Sequence, residues 1–183
     1  MRRIALSLAV AAALFAACPT RAQLPPVDAV VRAATEGDVD GVRLGLLRGG
    51  SPNARDDSGR TALMLAAMAG DDAVVAILLG ARAAVDLVDP QGDTALSHAA
   101  AHDRVETVER LIAARADPNV ANRRSETPLL KAARAGHAEV VRLLLEAGAR
   151  TDLGDVAGKT PLQHARDGRR KAVEQLLLRA GAR

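Results

Sequence analysis

Aromatic side chains are almost absent: among 183 residues there is no Trp and no Tyr, and the only Phe is Phe15. Phe15 lies in an N-terminal segment that, as argued below, we expect to be removed. The absence argues against base-stacking platforms, aromatic cages and the Trp and Tyr anchors that are common at tight interfaces. Any partner must therefore be recognised by Arg, aliphatic side chains and the backbone.

Cysteine is nearly absent too, since Cys18 is the only one. A single thiol cannot form an internal disulfide, and it excludes a zinc site built from several cysteines. His98 and His102 are four residues apart and could bind one metal from one helix face, but no third ligand has a matching spacing. We expect no metal, no cofactor and no catalytic residue, because no acid, base and nucleophile converge in the pattern.

Long apolar runs are confined to the N-terminus, where Ile4 to Ala17 follows Arg2 and Arg3. These 14 residues are shorter than the ~20 that cross a bilayer as a helix. Small residues then lead to Ala22, a pattern typical of a secretory signal peptide over residues 1–22. The alternative is a lipobox that leaves Cys18 acylated, but Phe15 stands where Leu is usual. The short leader and the Arg-rich composition indicate a bacterial protein exported to the periplasm, without a membrane span.

Neither sign of charge is in excess once the leader is removed, because Arg2, Arg3 and Arg21 leave with it. The remaining chain has 22 basic and 22 acidic residues, so bulk attraction to nucleic acid has no support. The charges are unevenly distributed, with net values of −3 in residues 23–88, −3 in 89–121 and +6 in 122–183.

A repeat of 33 residues fills the rest of the chain. Similar segments begin at Thr61, Thr94, Thr127 and Thr160, and a more polar version begins at Asp28. Each segment has Leu or Val two residues after its first residue, and Ala three residues after that. The predicted units are about 23–55, 56–88, 89–121, 122–154 and 155–183, here numbered 1 to 5.

Helix signals recur in every unit. The four Thr residues are suited to cap helix starts, and Pro128 and Pro161 follow at the first helical position. Thr160 with Gln163 predicts a capping box. A second helix in each unit carries a Val and Leu stripe that one helix pair cannot bury alone, so the units must stack. The sequence therefore predicts an all-α solenoid of five helix-turn-helix units over residues 23–183.

The repeated unit resembles the ankyrin repeat. The resemblance rests on the Asp and Gly turns, the Thr-x-Leu segments, the paired alanines and the breaks at Gly37, Gly70 and Gly136. The resemblance covers essentially all residues after the leader. It implies a protein-binding surface on the concave side, formed by the turn tips and the exposed side of the first helices. The matching positions in this chain are Arg60, Met68, Gln91, Asp93, His102, Arg123, Arg124, Glu126, Arg134, Lys159 and Arg166.

Three departures from the family pattern stand out. The His usual after Thr-Pro-Leu is missing from every unit, so the hydrogen bonds by which it braces the turn must be made otherwise or lost. Arg82 and Arg115 stand where Gly closes the second helix in other units, which predicts left-handed Arg residues at a cost of roughly 1–2 kcal/mol each. Ser125 replaces the Gly of the fourth turn, which makes that turn a plausible contact site.

These observations favour a monomeric adaptor or accessory factor that binds another exported protein, and they argue against an enzyme. Five cations, Arg123, Arg124, Arg134, Lys159 and Arg166, are expected to share one surface that Glu126 and Asp167 are too few to neutralise. That surface predicts a partner with an acidic patch. The alternative is an envelope protein that binds acidic polymer or anionic lipid headgroups through the basic C-terminal repeats.

Overall fold

Ten helices and no β-strand are found in residues 28–183, which are the residues that the computed structural model describes. The predicted leader and Cys18 lie outside them. The helices are α1 (Ala29–Glu36), α2 (Val39–Leu47), α3 (Ala62–Ala69), α4 (Asp72–Gly80), α5 (Ala95–Ala101), α6 (Val105–Ala113), α7 (Pro128–Ala135), α8 (Ala138–Glu146), α9 (Pro161–Asp167) and α10 (Lys171–Arg179). One helix pair falls in each predicted unit, and the all-α repeat architecture is confirmed.

The first helix of units 2 to 5 begins where the sequence predicts. Each Thr hydroxyl accepts a hydrogen bond from the backbone N–H three residues later and so satisfies a free helix donor. The capping box is present, because Thr160 N donates to Gln163 Oε1 at 2.9 Å. Pro128 and Pro161 occupy the first helical position. The sequence signals for helix starts are therefore confirmed.

The units stack through both of their helices. The odd-numbered helices form one layer, in which α1, α3, α5, α7 and α9 pack on their neighbours, and the even-numbered helices form the other. A continuous core of Ala, Val and Leu runs between the layers. Small Ala residues such as Ala66 and Ala99 are completely buried and allow the first helices to approach closely. Among the described residues, no helix combines the length and apolarity needed to cross a membrane.

The C-terminal end of the stack is closed by an ion pair. Ala133 and Val141 of unit 4 are fully buried against unit 5, and the equivalent positions 33 residues later hold Arg166 and Glu174. Arg166 Nε donates to Glu174 Oε1 at 2.9 Å. A face that would otherwise present apolar side chains to a sixth unit thus carries a charged pair.

The N-terminal end is closed differently. Gly45 of α2 occupies the position at which later units bury a Leu. A groove of about 560 Å³ at this end is lined by Gly45 together with Arg32, Glu36 and Asp38. Polar side chains and glycines therefore replace the apolar face that an internal unit would present.

Left-handed backbone recurs at three equivalent places in the units. The two predicted cases are confirmed, with φ of 60° at Arg82 and 64° at Arg115. Ser125, which replaces a turn Gly, has a φ of 58°. Asp103 and Arg169 are two further cases, in the loop between the first and second helices, with φ of 57° and 54°. They stand 33 residues from Gly70 and Gly136, which have the same conformation.

Candidate functional site

The structure exposes most, but not all, of the eleven residues matched to the contact surface. Arg60 and Met68 are half-buried, and the exposed members are Gln91, His102, Arg123, Arg124, Arg134, Lys159 and Arg166. Asp93 and Glu126 are buried, at 7% and 3% exposure. The expectation that these two carboxylates lie on the exposed surface is therefore wrong. Glu126 binds two exposed side chains, those of Arg124 and Arg134. Asp93 binds Asn122 and Lys131, which are themselves buried.

Glu126 lies at the centre of a polar network beneath the fourth turn. Its Oε2 accepts hydrogen bonds from Arg124 Nη2 at 2.9 Å and from Asn122 Nδ2 at 3.1 Å, and its Oε1 accepts one from Arg134 Nη1. Burial opposes ionisation of Glu126, but the hydrogen bonds from Arg134 and Asn122 and the two Arg charges outweigh it and lower its pKa. Glu126 is therefore a buried carboxylate held in its charged form.

Asn122 joins this network to the preceding unit. Its Nδ2 also donates to Asp93 Oδ1 at 3.1 Å, and the same oxygen accepts from Lys131 Nζ at 2.5 Å. Lys131 and Asp93 are both buried, with side chains 8% and 9% exposed. A buried charge is tolerated only when it is paired and hydrogen-bonded, and this pair meets both conditions.

The backbone of the fourth turn is fixed from both sides. Arg123 N donates to Gln91 O of the third turn at 3.0 Å, and Val156 N of the fifth turn donates to Arg124 O at 3.2 Å. Arg124 N donates to Asn122 Oδ1 at 2.9 Å within the turn. Three successive turns are thus linked, and the two exposed Arg residues leave the middle one.

Four of the five cations in the predicted cluster form ion pairs, but the expected excess of positive charge remains. Lys159 Nζ lies 2.7 Å from Asp167 Oδ2 on the fifth unit. Arg166 pairs with Glu174, a carboxylate that the count of Glu126 and Asp167 omitted, and it lies at the C-terminal closure. Counting Glu174, three carboxylates face the five cations. Among the described residues, Arg123 is the one member without an ion pair within 4 Å.

Two histidines take over the bracing that the family pattern assigns to a His one place earlier. His98 forms a hydrogen bond of 2.9 Å with Asp89 of its own turn, and His164 forms one of 2.8 Å with Asp155. Burial opposes ionisation of Asp89, yet backbone N–H donors and His98 lower its pKa. The His164 hydrogen bond lowers the pKa of Asp155. The turns of units 3 and 5 are therefore braced by shifted histidines.

Asp89, Asp93 and His98 bring their ligand atoms within 4.8 Å of one another, as in a metal site. Their atoms are already engaged, because Asp89 pairs with His98 and Asp93 Oδ1 accepts from the ammonium of Lys131. Lys131 thus supplies the positive charge that a metal would bring. His102 does not join them, since its Nδ1 donates to the backbone oxygen of His98 at 2.8 Å. The arrangement is an internal ion-pair network.

Sequence reasoning missed Asn122 and Lys131 as members of this site. The signal was present in the equivalent positions: Lys131 stands where other units have Leu65, His98 or His164. A Lys at a place otherwise filled by an apolar residue or a bracing His indicates a buried acidic partner. That partner, Asp93, lies 38 residues earlier in the chain.

A family model described as ankyrin repeats (three copies) matches residues 30–122 and residues 105–183. No curated protein matches this chain.

Proposed function

The chain belongs to the ankyrin-repeat family, and from this we propose that it is an adaptor or accessory factor that binds another exported protein in the periplasm. Ankyrin repeats are in general protein-interaction modules, and binding rather than catalysis is the role that the fold supports. The periplasmic part of the proposal depends on the leader pattern of residues 1–22. The partner surface is the row of turn tips and the exposed side of the first helices.

The observation that carries the proposal is the arrangement of the exposed matched residues. Gln91, Arg124 and Lys159 belong to the turns of units 3, 4 and 5, and Arg134 lies one helix length from the fourth turn. Because the units stack in register, the three turn residues form one row along the solenoid. The Arg134 side chain reaches back to this row, since it and Arg124 both bind Glu126. A rigid row of polar side chains suits recognition of an extended partner surface.

Affinity capture from a periplasmic extract tests the proposal. Wild-type protein and an Arg124→Glu/Arg134→Glu variant are immobilised, and bound proteins are identified by mass spectrometry. The double reversal is expected to cost at least ~2 kcal/mol in partner binding. Arg43→Glu/Arg48→Glu, which makes the same charge change on exposed residues of unit 1, is the control and should capture the same partners as wild type.

Equal capture by Arg124→Glu/Arg134→Glu at 0.15 M salt would move the assignment toward Arg60 and Met68. The compartment has its own measurement, the intact mass of the exported product. We expect a chain that begins at Gln23. A lipid-modified mass beginning at Cys18 would overturn that expectation in favour of a lipoprotein.

A second candidate function is binding of acidic polymer or anionic lipid headgroups at the basic C-terminal unit. Arg169, Arg170 and Lys171 favour it, because they are consecutive and exposed and form no ion pair within 4 Å among the described residues. Such binding depends on total charge and tolerates Arg→Lys exchange, whereas protein recognition by guanidinium groups does not. Sedimentation with phosphatidylglycerol vesicles, using wild type and an Arg169→Lys/Arg170→Lys variant, separates the two functions.

A further inference from the structure

One buried carboxylate holds two exposed guanidinium groups next to each other. Arg124 and Arg134 bind the two oxygens of Glu126, whose side chain is only 4% exposed, while their own side chains are 69% and 46% exposed. Since the oxygens belong to one carboxylate, the two guanidinium groups are neighbours on the surface. The two Arg residues come from different elements, the fourth turn and α7.

The Arg124 and Arg134 guanidinium groups keep most of their hydrogen-bond donors available for a ligand. A guanidinium has five N–H donors. Among the described residues, Arg124 and Arg134 each donate to Glu126 from only one guanidinium nitrogen. Glu126 neutralises only one of the two positive charges. Asp93, which shares the Asn122 amide with Glu126, is already paired with Lys131. The two Arg residues therefore carry an excess of one positive charge and several donors directed away from Glu126.

Glu126 and the backbone of Arg124 are themselves held in place by hydrogen bonds. Glu126 is held by Asn122 Nδ2 and by its own backbone N–H, which donates to Asn122 Oδ1 at 3.0 Å. The backbone of Arg124 is held by Asn122 and by Val156 of the next unit. Arg side chains lose considerable conformational freedom when they bind, and this anchoring removes part of that loss in advance.

We propose that Arg124 and Arg134 form a carboxylate-binding fork for an acidic side chain of the partner protein, and that Glu126 is the residue that positions it. This rests on the proposed protein-binding function and adds the chemistry of the contact. Planar guanidinium groups bind carboxylates through two parallel hydrogen bonds, which a fixed pair presents better than two free side chains. An acidic segment is the partner chemistry that fits.

Glu126→Gln separates the fork from bulk electrostatics, because the two explanations predict opposite signs. The substitution makes the surface more positive, so simple charge attraction would strengthen binding. It also replaces one acceptor oxygen by an amide that cannot accept from Arg, so a positioned fork would weaken. Asp167→Asn is the matched control: it removes one negative charge from an exposed pair with Lys159 and leaves the fork intact.

The probe is a fluorescein-labelled hexaglutamate peptide, and binding is measured by fluorescence anisotropy at low salt. We expect Glu126→Gln to weaken binding about three- to fivefold, and Asp167→Asn to leave it unchanged or tighter. Nitrogen-15 NMR of the Arg side-chain Nε–H groups gives an independent measure, since the signals of Arg124 and Arg134 should shift together on peptide addition. Tighter or unchanged binding by both variants overturns the proposal.

Arg124→Lys/Arg134→Lys keeps the measurement decisive if Glu126→Gln fails to fold. Both residues are exposed, so the exchange keeps the charge without disturbing the core, and a fork should still lose affinity. Unchanged peptide affinity for the Lys variant overturns the fork. If the fork binds hexaglutamate but no protein is captured from the extract, the proposed function fails while the fork survives.

Discussion

At the scale of single residues, the clearest strain lies at Arg115, which has a φ of 64° where Gly148 and Gly181 close equivalent helices. A left-handed Arg is penalised because its Cβ crowds the backbone, and Gly avoids this. We expect Arg115→Gly to stabilise the protein by roughly 0.5–1.5 kcal/mol. The urea midpoint, followed by circular dichroism because the expected mature chain lacks aromatic reporters, measures the change.

Gly148→Arg is the reciprocal variant. A Cβ placed on Gly148 would meet no atom within 4 Å, so the substitution adds backbone strain without a clash. It should lower the urea midpoint by a similar amount. A lower midpoint for Arg115→Gly would show instead that the Arg115 side chain makes a compensating contact.

These strained residues show how far single positions could be predicted. Arg82, Arg115 and Ser125 were predictable because each breaks a repeated Gly. Asp103 and Arg169 break a Gly repeat as well, and comparison with Gly70 and Gly136 would have found them. Backbone conformation follows the 33-residue period, so it can be predicted even where the residue type changes.

At the scale of helices, two glycines within α2 and α4 differ in their surroundings. A Cβ on Gly80 would meet no atom within 4 Å, whereas one on Gly45 would lie 2.9 Å from Val30 Cγ2 and 3.3 Å from Val30 N. Gly80→Ala should stabilise the protein by about 0.5 kcal/mol, because Ala loses less backbone entropy in a helix. Thermal unfolding followed by circular dichroism measures this.

Gly45→Ala is the matched control, with the same chemistry in a helix that leaves no space. It should destabilise the protein, because the backbone of Val30 cannot move away without disturbing α1. If both variants change the unfolding midpoint in the same direction, helix propensity alone determines stability at these positions. The close approach of α1 to α2 then makes no contribution to the free energy of unfolding.

The helices themselves were predictable from local signals. Thr at the cap and Pro at the first position determine where the first helices begin, and these interactions lie within three residues of each other. The C-terminal closure was not predicted, because Arg166 and Glu174 are eight residues apart on different helices. Arg166 was assigned to the partner surface, and only the packing of α9 on α10 shows its second contact.

At the scale of the whole molecule, the ends of the stack determine whether copies associate. Arg166→Ala/Glu174→Val would give unit 5 the Ala and Val that unit 4 buries, and would expose them. We expect this variant to self-associate with increasing concentration, because an apolar face seeks another surface. Sedimentation velocity over a concentration series measures the association.

Arg142→Ala/Glu146→Val is the control, because it removes a comparable ion pair from the surface of α8, away from the ends of the stack. It should remain monomeric, as we expect of wild type. If the end variant also stays monomeric at every concentration, the charged closure is unnecessary for keeping copies apart.

The candidate site was predictable in position and not in detail. The repeat placed the right turns and helices together, since its period is visible in the sequence. The burial of Asp93 and Glu126 was not visible, because it depends on Asn122 and Lys131, which lie 29 and 38 residues from Asp93. Contacts between units decide which charges face solvent, and a single unit does not reveal them.

The charged pair on unit 5 also limits where repeat units can be added to the protein by gene duplication. Units 3 and 4 each offer apolar faces to both neighbours, so a duplicated copy of either could be inserted between them and find matching surfaces. A copy placed directly against the outer face of unit 5 would instead meet Arg166 and Glu174. An inserted duplicate is thus expected to fit between units 3 and 4 and not against the outer face of unit 5.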